Sequence, residues 1–194
     1  MNKAVLEHKS ADIERLFSEA FYRQYQTRLC GGASEPLYTA AETETNPTRE
    51  SKIFYRLDYF ASALHEVSHW CIAGKQRRTL DDFGYWYLPD DRNANQQEDF
   101  QRVEKKPQAL EMLFSIAANY PFQVSLDNLS QSENDLPAFR DAVTQQATEY
   151  CSKGLPERAA VFFQTLADYY NGPSLALATD AISKQTNPNK ILAT

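Results

Sequence analysis

Two histidines four residues apart, His65 and His69, with Glu66 directly after the first, are the side chains in this sequence best suited to chemistry. Residues four apart on an α-helix stack on one face about one turn from each other, so two imidazoles at this spacing can reach one ion. His-Glu-x-x-His is the pattern by which metal enzymes hold a divalent cation. In the hydrolytic members the glutamate is the general base that activates metal-bound water.

The residues around the pair argue against a chance match. Between Tyr59 and Ala73 there is no Lys, Arg or Asp. Apolar side chains spread almost all round the axis, and the main polar stripe is Ser62, His65, Glu66 and His69. A helix apolar on most sides is normally buried. Two histidines and a glutamate buried with it need partners, and a metal ion is such a partner. The remaining histidine, His8, lies near the start of the sequence and carries little weight.

Two histidines rarely hold an ion alone, and a third protein ligand would still leave coordination positions open. No histidine follows His69, so the third ligand is expected to be a carboxylate. The segment 96–119 offers Glu98, Asp99, Glu104 and Glu111 beside an apolar stripe of Phe100, Val103, Pro107, Leu110, Phe114 and Ala117. Glu98 lies about 150° from the centre of that stripe and is expected to face water. Glu104 at about 90° and Glu111 at about 70° lie on its margin, and helix geometry does not choose between them.

The elements that must position these groups follow from hydrophobic periodicity. A helix over 11–29 is expected, ended by Gly31-Gly32. Short strands are expected near Pro36–Thr39 and at Ile53–Tyr55. The histidine helix should span 58–73, with Asp58 as N-cap and Gly74 after its end. The aromatic run Phe83–Leu88 suits a strand. Residues 96–119 should form one helix or two, because Pro107 removes a backbone donor inside the run. Helices are also expected at 136–152, 156–170 and 173–184, with a frayed tail over 185–194. The expected fold class is therefore α+β: a helix-rich single domain over 1–194 with a small sheet.

Bulk composition narrows the functions. The 194 residues are 42% hydrophobic and 24% charged, an ordinary globular balance. A net charge of −6 makes the chain a poor non-specific nucleic-acid binder. Cys30, Cys71 and Cys151 are far apart and form no Cys-x-x-Cys pair, so neither disulfides nor a cysteine-based zinc site is expected. No run of about 18 apolar residues and no signal peptide is evident, which points to a cytoplasmic chain without a membrane span.

Longer motifs carry a resemblance. The run HEVSHWCIAGKQRRTLDDFGYWYLPDDR, followed by VEKKPQALE and ANYPFQVSLDNL, closely resembles the elongation factor P hydroxylase family. The similarity is dense from about Tyr59 to Leu129, with a further match near Pro156-Glu157-Arg158. Members hydroxylate the β-lysylated lysine of bacterial elongation factor P. The resemblance implies a two-histidine, one-carboxylate site like those of non-haem iron enzymes. Its ligands would be His65, His69 and Glu104, the glutamate of the Val-Glu-x-Lys-Pro-Gln motif. It also implies an α+β fold whose metal helix is zincin-like or metal-ribonuclease-like.

On that reading, Fe(II) is the expected cofactor and dioxygen the oxidant, although zinc or another divalent ion suits the same ligands. Glu66 is expected to act beside the metal, on a ligand or a bound water. Asp82, Tyr85 and Tyr87, with Trp86, are the candidates for receiving a long cationic side chain through acid and aromatic contacts. Lys75, Arg77 and Arg78 serve either the helix end or an acidic partner. The partner implied is elongation factor P carrying β-lysyl-lysine, met by a monomer. The rival from motif chemistry alone is a zinc metallopeptidase, with Glu66 as base and Glu104 or Glu111 as third ligand.

Overall fold

In a computed structural model, residues 7–43, 46–82, 94–125 and 135–185 are described. The elements run α1 (Ser10–Tyr25), β1 (Thr27–Ala33), β2 (Leu37–Thr39), β3 (Ser51–Arg56), α2 (Phe60–Ile72), α3 (Ala94–Ala117), α4 (Asp135–Lys153), α5 (Glu157–Tyr170) and α6 (Leu175–Gln185), with a 3-10 turn at Arg77–Thr79. This is a helix-rich α+β arrangement. The expected strand at Phe83–Leu88 lies outside the described residues, as does the tail beyond Gln185.

The first helix is shorter than its periodicity implies. It ends at Tyr25, where Gln26 turns left-handed (φ 47°) and its N–H bonds to Tyr22 O. The residues that follow form β1, so Gly31-Gly32 sit inside a strand and do not stop a helix. They make the irregularity in the pairing of β1 with β3. A Cβ on Gly31 would lie 2.6 Å from the Tyr55 hydroxyl and 2.8 Å from Leu57 O, so only glycine fits there. The Gly31 N–H bonds to Glu14 Oε1 at 2.8 Å, and Gly32, at φ +88°, bonds to Leu57 O at 2.6 Å.

The sheet order is β1-β3-β2, with β1 parallel and β2 antiparallel to β3. Ser51, Ile53 and Tyr55 alternate inward, as a half-buried strand requires. The helices α1 and α2 pack against this sheet, and α2 in turn packs against α3.

The hydrophobic core is built around α3, which touches α2, α4, α5 and α6. Every residue from Pro107 to Ala118 is buried. Pro107 lies within this continuous helix and does not split it in two. Phe17 and Phe21 of α1 close one side against Trp70 of α2, with ring centroids 5.0 and 4.9 Å apart.

One expectation about the chain near the histidine helix is corrected. The residue before α2 is Tyr59, with no side-chain cap; Asp58 does not cap the helix. Ser62 accepts the Arg56 N–H at 3.0 Å and ties the first turn back to β3. His8 is firmly held: its Nε2 lies 2.8 Å from Ala118 O, and its ring packs on Phe60, Tyr120 and Tyr170 at 5.1, 5.1 and 5.2 Å.

Candidate metal centre

The metal-competent donors come from two helices that cross. Helix α2 buries Phe60, Ala63, Leu64, Val67, Trp70 and Cys71 and leaves His65, Glu66 and His69 half-buried. Against it, α3 presents the buried polar residues Glu104, Gln108, Glu111 and Ser115. Their spacing of four, three and four places them in one stripe on one helix face. The most telling contacts between the helices run from His65 and His69 to this stripe.

His65 Nε2 and His69 Nε2 face each other at 3.1 Å. The Glu104 carboxylate closes the triangle, 3.5 Å from His65 Nε2 and 3.3 Å from His69 Nε2. Among the described residues, these three side chains form a group whose ligand atoms all lie within 4.8 Å of one another. Donors held about 2.1 Å from one ion at angles of 90–109° lie about 3.0–3.4 Å apart. The His65–His69 and His69–Glu104 separations fall in that range, and the His65–Glu104 separation lies 0.1 Å beyond it. Neutral imidazole nitrogens and a carboxylate bring lone pairs and no proton, so their convergence calls for a cation. Glu104 Oε2, buried and without a hydrogen-bond partner, is the atom most in need of one. The residues therefore fit a divalent metal.

Glu111 lies elsewhere in the cluster. Its Oε2 is 2.8 Å from His65 Nδ1, the ring nitrogen facing away from the triangle. Glu104 and Glu111 thus grip one imidazole from its two edges. Neither acid is solvated on a helix flank: they are 5% and 8% exposed. Gln108, between them and 1% exposed, escaped notice in the sequence. Its side chain donates to Ser125 O at 2.7 Å and accepts the Ser125 N–H at 3.1 Å, which pins the chain after α3. The four-three-four polar spacing within a buried helix was the signal that would have found it.

Electrostatics follow from this crowding. Burial alone would push the Glu104 carboxyl up, but the charges of and hydrogen bonds to His69, the charge of His65 and a bond to Gln108 bring it down to about 2. Burial lowers His65, yet its bond to Glu111 and the charges of Glu111, Glu104 and Glu66 win and hold it well above its ordinary value. Glu66 is pushed up, first by burial and then by Glu104 and Glu111, against the pull of both histidines.

The other candidate residues are placed as follows. Asp82 is engaged by Arg77 at 2.6 and 3.0 Å, and its backbone bridges to Tyr38. Asp81 accepts the Ala40 N–H at 2.8 Å. Tyr85, Trp86 and Tyr87 lie outside the described residues, and so does the side chain of Glu98. Arg78 stacks over Tyr25 and Trp70, and Lys75 is exposed. The end of α2 is served by a residue from α5: Arg158 Nη2 donates to Trp70 O, Cys71 O and Ala73 O at 3.0, 3.0 and 2.6 Å. A shallow depression of about 440 Å³ lined by Glu14, Gly31, Tyr55 and Asp58 holds none of the three donors. The donor chemistry, and not the depression, marks the site.

A helix-rich α+β fold that brings two histidines and a carboxylate together offers the donors that a metal-dependent enzyme would use. The sequence profile of the Elongation factor P hydroxylase family matches residues 16–180. The chain is also 43% identical over 166 residues to the Elongation factor P lysine hydroxylase of Haemophilus influenzae (strain ATCC 51907 / DSM 11121 / KW20 / Rd), covering 86% of this chain and 92% of that relative. The chain belongs to the elongation factor P hydroxylase family. The matched span contains α2, α3 and Arg158.

Proposed function

We propose that this protein hydroxylates a lysine of elongation factor P, in its β-lysyl-modified form, with a metal held by His65, His69 and Glu104. The observation that carries the metal assignment is the convergence of three lone-pair donors at 3.1–3.5 Å with the buried Glu104 Oε2 making no hydrogen bond. Family membership carries the choice of reaction. Fe(II) with dioxygen is the proposed pair, because oxidising an unactivated C–H bond needs an oxidant that no side chain supplies, and a three-ligand iron site leaves positions open for it.

The protein's own residues do the rest. His65 and His69 present neutral Nε2 lone pairs from successive turns of α2, and Glu104 supplies one negative charge from α3. That pairing keeps the cluster's charge low in a half-buried setting. Glu66, next in sequence to His65, acts beside the donors as a hydrogen-bonding group or proton carrier, the role its raised pKa suits. Asp82, Tyr85 and Tyr87 are proposed to receive the cationic side chain of the substrate; for Asp82 this requires sharing with Arg77 or release from it. Helix α2 is proposed to present its ligands as the metal helix of a zincin or a metal-dependent ribonuclease does. A monomer acting in the cytoplasm, where its translation-factor substrate is used, without direct contact to nucleic acid or membrane, completes the reading.

The test uses protein loaded anaerobically with iron, then mixed with β-lysylated elongation factor P and air. Mass spectrometry of the modified peptide should show a gain of one oxygen atom, absent with His65→Ala and Glu104→Ala. Cleavage of the partner or of a general peptide, with no oxygen gained, would replace this reading with the zinc peptidase.

A further inference from the structure

The proposed ligand set leaves one buried carboxylate of the cluster without a task. Glu111 is 8% exposed, sits seven residues beyond Glu104 on the same face of α3, and lies 2.8 Å from His65 Nδ1. A carboxylate has acceptors only, so the hydrogen of this contact must reside on Nδ1. In neutral imidazole one nitrogen carries hydrogen and the other a lone pair. The lone pair therefore falls on Nε2, the nitrogen facing Glu104 and His69. Without Glu111 the hydrogen is free to sit on Nε2, where it would block the metal-facing edge.

We infer that Glu111 is a positioning residue, which sets the tautomer and ring orientation of His65 so that Nε2 is always presented as a donor. This rests on the assignment of His65 as a ligand. The arrangement has the chemistry of a carboxylate behind a metal-bound histidine, where it also makes the ring a stronger donor. Its position argues against a direct ligand role for Glu111, whose oxygen addresses the opposite edge of the ring from the other donors. Ser115, one turn further along α3, extends the polar stripe, while the contact to His65 Nδ1 is made by Glu111.

The experiment compares the unsubstituted protein with Glu111→Gln and Glu111→Leu. Gln keeps the volume and an acceptor oxygen but loses the charge; Leu removes the acceptor. Zn²⁺ affinity is measured by chelator competition on each. In parallel, ¹⁵N–¹H spectra of the metal-free proteins report which nitrogen of His65 carries hydrogen, at a pH where the ring is neutral. The expected result is hydrogen on Nδ1 in the unsubstituted protein and in Glu111→Gln, with a shift towards Nε2 in Glu111→Leu. Zinc affinity should fall about 10–100-fold in Glu111→Leu and less in Glu111→Gln. An unmoved tautomer, or equal zinc affinity in all three, overturns the inference. A purely structural role would lower both variants' thermal stability and affinity together while leaving the tautomer unchanged, and that also overturns it. If the unsubstituted protein binds no zinc yet the tautomer shifts, the ligand assignment falls and the control of His65 by Glu111 stands.

Discussion

Arg158 offers the sharpest test of how the metal helix is held. Its Nη2 donates to three carbonyls that end α2, those of Trp70, Cys71 and Ala73. Its guanidinium also lies 4.8 Å over the Trp70 ring and 5.6 Å over Tyr25. One Nη2 carries two hydrogens, so three contacts amount to about two full bonds, each worth about 1.5–3 kcal/mol when the donor is charged. Arg78 stands on the same two rings, and its like charge subtracts from that gain. A net loss of about 3 kcal/mol is expected for Arg158→Ala once partial exposure is discounted. In a chain of this length that lowers Tm by roughly 6–12 °C. Arg158→Lys keeps the charge at the helix end, worth about 1 kcal/mol, but not the planar fork, and should fall between. His69 is in the last turn of α2, so zinc affinity measured by competition should drop in step with Tm. Differential scanning calorimetry supplies the first number. A Tm within about 2 °C of the unsubstituted protein, or full recovery with lysine, would refute this account of the cap.

Three further outcomes are expected. A Cβ at position 172 would meet Ala117 O at 1.9 Å, so Gly172→Ala must part α5 from the end of α3; urea denaturation should show a loss of about 3 kcal/mol or more, against about 1 kcal/mol for Gly154→Ala, where the space is open and only the left-handed backbone is strained. Because His65 is held well above its ordinary value, its pairing stabilises the metal-free protein fully below about pH 6.5 and is lost as pH rises through the folded-state pKa. Tm of chelator-treated protein should therefore decline from neutral to alkaline pH, less steeply in Glu111→Gln; a rise would contradict the pairing. Burial pushes the Cys71 thiol up, so native-state alkylation followed by peptide mapping should find Cys71 unmodified while the half-buried Cys30 and Cys151 react more readily.

How much of this was legible in the sequence depends on whether the signal is local. The His65–His69 spacing is a property of one helix and could be read directly, as could the helices at 136–152 and 156–170. The end of the first helix could not: the expected helix ran on to Leu29, and only pairing with β3, 24 residues on, turns Thr27 and the residues after it into a strand. The glycine pair looked like a stop because its actual reason, the approach of Tyr55 and Leu57, lies in that partner strand. Periodicity put Glu104 and Glu111 at equal rank, since both flank the same apolar stripe. What separates them is which edge of the His65 ring each one meets, a property of how α2 crosses α3. The Arg158 contact, 85–88 residues long in sequence, left no trace in any local pattern. His8 was dismissed for its position, yet its partners lie on α2, just beyond the end of α3 and on the last residue of α5.

The contacts of the N-terminal segment set an order in time. Tyr169 donates to Asp12 across 157 residues, and His8 meets Ala118 across 110. At about 5–20 residues per second, a ribosome that has finished Asp12 needs roughly 8–30 s more to deliver Tyr169. For that interval the apolar faces of α1 and α2 have each other and the sheet but not the helices that cover them. The earliest-made helix is thus among the last to reach its final packing. Slowing or truncating translation before α5 should therefore leave a nascent chain that still presents Phe17 and Phe21 to chaperones, even with the whole histidine motif already synthesised.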